Sequence, residues 1–96
     1  MPAASGHNLQ AAPNPFNPQT TVTFELPTAA VASLEIFDAA GRRLRVLAGG
    51  ESLAAGAHAR TWNGRDDAGR DAPSGTYVCR LLADGMTSSS RVTLLR

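Results

Sequence analysis

The chain has 96 residues, nine of them basic and eight acidic, for a formal charge of +1; 43% are hydrophobic and 18% charged. That composition suits one globular domain and carries no electrostatic footprint for nucleic acid or for an acidic membrane surface. The single cysteine, Cys79, excludes an intrachain disulfide and a multi-cysteine zinc site, and no apolar run approaches the roughly 18 residues of a membrane-spanning helix.

Met1 to His7 is small and polar and lacks the basic-then-apolar pattern of a signal peptide. It is read as a flexible tail or linker remnant (residues 1–7) ahead of one domain (residues 8–96). That fits either a cytoplasmic protein or a domain of a longer exported chain. Asn8 to Ala12 reads as a short edge strand. Pro13-Asn14-Pro15-Phe16-Asn17-Pro18 follows, and three prolines so close together forbid a helix or a central strand. The expectation is a stiff, kinked connection with Phe16 turned into the core.

Thr20 to Leu26 alternates strictly, with Val22, Phe24 and Leu26 on one face, as a half-buried strand does. Pro27 ends it. Ala32 to Asp38 repeats the pattern with Leu34 and Ile36 inward. Phe37 falls on the outward parity and is expected to lie under a neighbouring side chain. After a turn at Ala39-Ala40-Gly41, Arg42 to Ala48 reads as the return strand, with Leu44 and Val46 on one face and Arg43 and Arg45 in solvent. Gly49-Gly50 breaks the pattern, and Leu53 to Gly56 reads as a second turn. Ala57 to Trp62 is the next strand, with His58, Arg60 and Trp62 on one parity.

The run from Trp62 to Tyr77 contains Gly64, Gly69, Gly75, Pro73, Asn63 and three aspartates, so it cannot continue a strand. It reads as a structured loop anchored by Trp62 and Tyr77. Phe16, Trp62, Gly64, Gly69, Gly75 and Tyr77 are the expected structural anchors. Asn63, Asp66, Asp67 and Asp71 offer hard oxygen ligands of the kind Ca²⁺ takes, but their spacing does not match the calcium-loop pattern and Arg65 and Arg70 partly neutralise them. The preferred reading is turn structure, with a weak cation site as the alternative. Thr76 to Ala83 is a strong strand, Asp84-Gly85 a two-residue hairpin signal, and Met86 to Arg96 the last strand.

About six or seven short strands punctuated by turns, with no helical period, predict an all-β sandwich. Catalytic constellations are poor. His58 and Cys79 share core parity and read as structural, and no nucleophile-elbow, phosphate-loop or zinc-protease motif is present. No catalytic residue and no cofactor is expected.

Taken together, the motifs carry a family. The chain resembles the type A C-terminal sorting domains of proteins exported by the type IX secretion system, and is similar to the immunoglobulin-like domain of the flagellar hook-capping protein. The matching pieces are Pro13 to Pro18 followed by Thr20 to Phe24, Ile36-Phe37-Asp38 with Gly41-Arg42, and Ala55-Gly56 with His58. Further on come Trp62-Asn63-Gly64-Arg65-Asp66 with Gly69, Ser74-Gly75-Thr76-Tyr77, and Val92 to Arg96. Departures are Arg60 in place of a Val-like residue, Cys79 in place of an aromatic, and Asn63 in place of Asp. The resemblance implies an immunoglobulin-like (fibronectin-III-like) antiparallel β-sandwich of about seven strands, non-catalytic, and extracellular or at the cell surface. Its implied partners are the outer-membrane secretion and sorting machinery and a covalently linked passenger on its N-terminal side.

The last strand is the expected recognition element. Arg91, Val92, Thr93, Leu94, Leu95 and Arg96 form a terminal β-segment that a partner could take up by strand addition. The same property makes edge strands prone to self-association. The alternative reading is a structural or adhesive module, or a subunit of an extracellular assembly held by strand pairing.

Overall fold

The computed structural model describes residues 7–96. Seven strands follow in order: β1 Gln10–Ala12, β2 Thr20–Leu26, β3 Ala30–Phe37, β4 Arg43–Leu53, β5 Gly56–Trp62, β6 Gly75–Ala83 and β7 Met86–Leu94. They form two sheets, one of order β1-β2-β5 and one of order β4-β3-β6-β7, and all pairings are antiparallel. This is the expected immunoglobulin-like sandwich. Its fourth strand stays on the sheet of β3, β6 and β7 rather than joining β5, which sets it apart from the constant-type immunoglobulin arrangement.

The alternating residues of both sheets meet in one core. Val22 and Phe24 of β2, Leu34 and Ile36 of β3, Trp62 of β5, Cys79 and Leu81 of β6, and Val92 and Leu94 of β7 are all buried. Burial of this apolar surface is the main force holding the two layers together. Phe37 points away from the core, and the Arg80 guanidinium lies over its ring at 4.2 Å. The outward aromatic is thus covered by a cation–π contact, as its parity suggested.

Three expectations need correction. The return strand does not stop at Ala48: β4 runs on through Gly49-Gly50 to Leu53. Pairing with β3 slips between Ala32 and Leu34, between Leu34 and Glu35, and between Ile36 and Phe37. These bulges absorb the glycines, with Gly50 at φ +67° and its N–H bonded to Ser33 Oγ at 3.1 Å. The same slips separate Leu44 from Val46. Leu44 and Leu47 pack on the core, whereas Val46 sits opposite the outward-facing Glu35. The last strand ends at Leu94 rather than Arg96. The tail expected over residues 1–7 lies outside the described residues except at His7. That side chain is buried, and its Nδ1 shares a 2.7 Å hydrogen bond with Ser88 Oγ.

Candidate functional site

The Trp62–Tyr77 crossing is built on an aromatic cluster. The Trp62 ring centroid lies 5.3 Å from that of Phe16 and 5.3 Å from that of Tyr77, which meets it edge-on at 73°. Trp62 Nε1 donates to the carbonyl of Arg65 at 2.9 Å. The Tyr77 hydroxyl donates to the carbonyl of Pro73 at 2.5 Å. A tyrosine two residues before a core cysteine position, bonded back to the chain upstream, is the tyrosine corner of immunoglobulin-like sandwiches. Burial pushes the Tyr77 phenol up, with the charge of Asp38 adding to the effect, so it stays a donor.

Gly64 sits where no side chain fits. Its φ is +76°, and a Cβ there would lie 2.9 Å from the Pro18 carbonyl oxygen and 2.9 Å from Arg96 Nη2. Arg96 grips the crossing from below. Its Nε donates to the carbonyl of Ala72 at 2.5 Å, its Nη2 to that of Gly64 at 2.6 Å, and its backbone N–H to Ser74 Oγ at 2.8 Å. Gly75 opens β6 opposite Leu94. The crossing and the end of the chain are therefore one unit.

Gly69 belongs to a turn that occurs twice. Asp38-Ala39-Ala40-Gly41-Arg42 and Asp66-Asp67-Ala68-Gly69-Arg70 share the pattern D-x-A-G-R. In each, Oδ1 of the aspartate accepts the N–H groups two and four residues on, all at 2.9 Å. Its Oδ2 accepts the arginine Nε, at 3.0 Å in the first turn and 3.1 Å in the second. The glycines have φ of +88° and +82°. The backbone N–H groups of Arg42 and Arg70, more than any other neighbour, hold the two carboxyls below the usual aspartate range. The repeated motif stands in the sequence, but reading the chain for strands passes over it.

The acidic loop residues are engaged separately rather than gathered. Asn63 Oδ1 accepts the N–H of Arg65, Asp66 is filled by its own turn, and Asp71 pairs with Arg65 at 3.2 Å and with Arg96 at 3.7 Å. Asp67 turns to β4: its backbone N–H donates to Leu44 and its carboxylate accepts the N–H of Val46. Among the described residues no three His, Cys, Asp or Glu side chains group as metal ligands do.

Within the terminal segment, Val92 and Leu94 are in the core, Thr93 is half-buried, and Arg91, Leu95 and Arg96 are exposed. Its outer edge is occupied by the proline-rich connection. Phe16 bridges Leu94 in parallel, donating to the carbonyl of Thr93 and accepting from the N–H of Leu95 at 2.9 Å each. The Asn14 side chain imitates a peptide group: Oδ1 accepts the Thr93 N–H at 2.9 Å and Nδ2 donates to the Arg91 carbonyl at 3.1 Å. Strand addition along Arg91–Leu95 is therefore blocked by the chain itself.

The family model of the FlgD Ig-like domain matches residues 10–85. The chain belongs to the FlgD Ig-like domain family. Among solved structures, FlgD of P. aeruginosa is 26% identical with a TM-score of 0.58, over 78% of this chain and 58% of that one. PorZ, a surface component of the type-IX secretion system of Porphyromonas gingivalis, gives a TM-score of 0.64 at 22% identity, over 93% of this chain and 12% of that one. The DNA glycosylase AlkC of Pseudomonas fluorescens, solved bound to DNA, gives 0.52 at 22% identity, over 94% and 30%. The PorZ and AlkC likenesses are of fold alone, and this chain spans less than two thirds of all three. No curated protein sequence matches it.

His58 and Cys79 of this FlgD Ig-like domain are tied into the fold. His58 Nε2 donates to the carbonyl of Ala54 at 2.8 Å and its ring stacks on Phe24. Burial pushes the Cys79 thiol up to about 12, far from a reactive thiolate. Arg60, the departure from the family pattern, is on the core parity of the edge strand β5. Its guanidinium donates to Ala59 and pairs with Glu51 at 2.8 Å.

Proposed function

We propose that this FlgD Ig-like domain is a non-catalytic module of a larger exported protein, serving as its C-terminal address for type IX secretion and surface sorting. The observation that carries the reading is the polarity of the sandwich. The chain enters at His7, whose carbonyl accepts from Glu25 and whose ring meets Ser88. The terminal segment lies further along β7, from roughly 10 Å at Arg91 to roughly 20 Å at Leu94, at the ~3.3 Å rise of a strand residue. A passenger fused ahead of His7 would leave the exposed side chains of Arg91 and Leu95 accessible to the outer-membrane machinery.

The occupied edge changes how that recognition would work. The export machinery would read the side chains of Arg91 and Leu95, with Arg96 locked beneath the crossing, rather than unpaired backbone. Removing Arg91 to Arg96 would delete core residues and test only folding. The decisive experiment fuses a reporter ahead of the domain in a host that has the type IX machinery. The expected result is surface reporter from the intact fusion and its loss in Arg91→Glu/Leu95→Ser, with the melting temperature of the isolated domain kept. Retention of the intact fusion inside the cell, or full export of the variant, would refute the reading.

A further inference from the structure

Sheet edges invite pairing with other chains, and proteins guard them with covers, bulges, short strands and inward-pointing charges. This sandwich uses all four. Asp67 covers β4 at Leu44 and Val46, and bulges disrupt the pairing of β3 with β4. β5 carries Arg60 on its core parity, and β1 has only three residues. Asn14 and Phe16 cover β7 from Arg91 to Leu95.

The other half of β7 is the exception. The contacts of Asn14 and Phe16 show that Arg91 and Thr93 turn their backbone groups outward. Backbone direction alternates along a strand, so Ser89 and Thr87 face the same way. Among the described residues, none bonds the outward N–H and C=O of Thr87 and Ser89 or the N–H of Arg91. Met86 to Ser90 contains no charge and no proline, and Thr87 and Ser89 are exposed.

We propose that Thr87 to Arg91 pairs with the same stretch of a second copy of this chain, antiparallel, about a two-fold axis at Ser89. The outward groups set the register: Ser89 faces Ser89 of the second copy, and Thr87 faces its Arg91. Arginine never opposes arginine, and small hydroxyls meet across the pair, a favourable combination. The stretch itself supplies this self-complementary register, hydroxyl on hydroxyl and arginine on threonine, which is why the occupant is a second copy. Because Asn14 already holds the Arg91 carbonyl, pairing ends there. The two four-stranded sheets join edge to edge through a short contact, so the dimer is weak and falls apart on dilution. The inference does not rest on the export reading.

Sedimentation velocity of the full chain, from about 10 μM to about 1 mM, a range suited to weak association, tests it. The expected result is a mass that rises toward that of a dimer with concentration. Ser89→Lys and Ser89→Glu place like charges face to face across the axis, so each alone stays monomeric, while their mixture restores the dimer. Ala59→Lys, on the edge of β5, leaves dimerisation unchanged. A chain monomeric throughout, a dimer unaffected by Ser89→Lys, or a mixture that stays monomeric overturns the proposal.

Discussion

Arg96 Nη2 donates to the carbonyl oxygen of Gly64 at 2.6 Å and fills the space beside a residue that has no room for a Cβ. The end of the chain thereby locks the loop that joins β5 to β6. Charged donors on backbone carbonyls contribute more than neutral ones. Arg96→Ala is expected to cost about 2 kcal/mol in urea denaturation. Arg96→Lys should recover less than half of that loss, because a lysine ammonium lacks the planar fork that reaches Ala72 and Gly64 together.

Trp62 is fully buried between Phe16 and Tyr77. Trp62→Ala should cost about 3–5 kcal/mol, the range for removing a large core aromatic. Trp62→Phe keeps most of the packing but leaves the Arg65 carbonyl without its indole donor, and should cost about 1–3 kcal/mol. Chemical denaturation midpoints check both, and an unchanged midpoint for Trp62→Ala would remove its anchoring role.

Gly64→Ala combines a left-handed backbone with a collision against the Pro18 carbonyl. Strain of this kind costs about 1–3 kcal/mol before any steric term. The melting temperature should fall well below that of Gly69→Ala, whose φ is similar but whose Cβ would meet open space.

The twin turns set the acid limb of stability. Asp38 and Asp66 have folded-state carboxyls held below their ordinary value. Their contribution is present above the unfolded pKa of about 3.9 and is lost as pH falls through the folded value. Melting temperature should therefore drop below about pH 4. The double variant Asp38→Asn/Asp66→Asn should show a flatter profile in that window.

Cys79 stays protonated in the fold, its pKa pushed up to about 12 by burial. A thiol-directed disulfide reagent at pH 8 should leave the native chain unlabelled and modify it fully in urea. As pH rises from the unfolded thiol value of about 8.5 toward 12, the unfolded state ionises first, so stability declines across that interval.

Where one face of a strand is buried, the sequence was readable. Thr20 to Leu26 alternates because each second residue enters the core, and the Asp84-Gly85 turn closes β6 onto β7 with Asp84 at φ +54°. Trp62 and Tyr77 stood out as large aromatics flanking a breaker-rich loop. The course of β4 did not show, because Gly49-Gly50 looks like an end unless the bulges opposite are known. The cover over the terminal segment is hidden for a different reason. The segment's edge is covered by Asn14, and nothing local tells that an asparagine between prolines will imitate a strand on residues at the far end of the chain.

Asn14 and Phe16 also decide where the domain can be cut. A shortened chain starting at Thr20 keeps six of the seven strands and the alternating faces of all of them. It nevertheless strips the cover from Arg91 to Leu95 and joins that stretch to the bare edge at Thr87 and Ser89. With β1 gone as well, the edge of β2 is bare beside the whole length of β7, so the fragment offers two templates and is expected to polymerise where the complete domain stops at pairs.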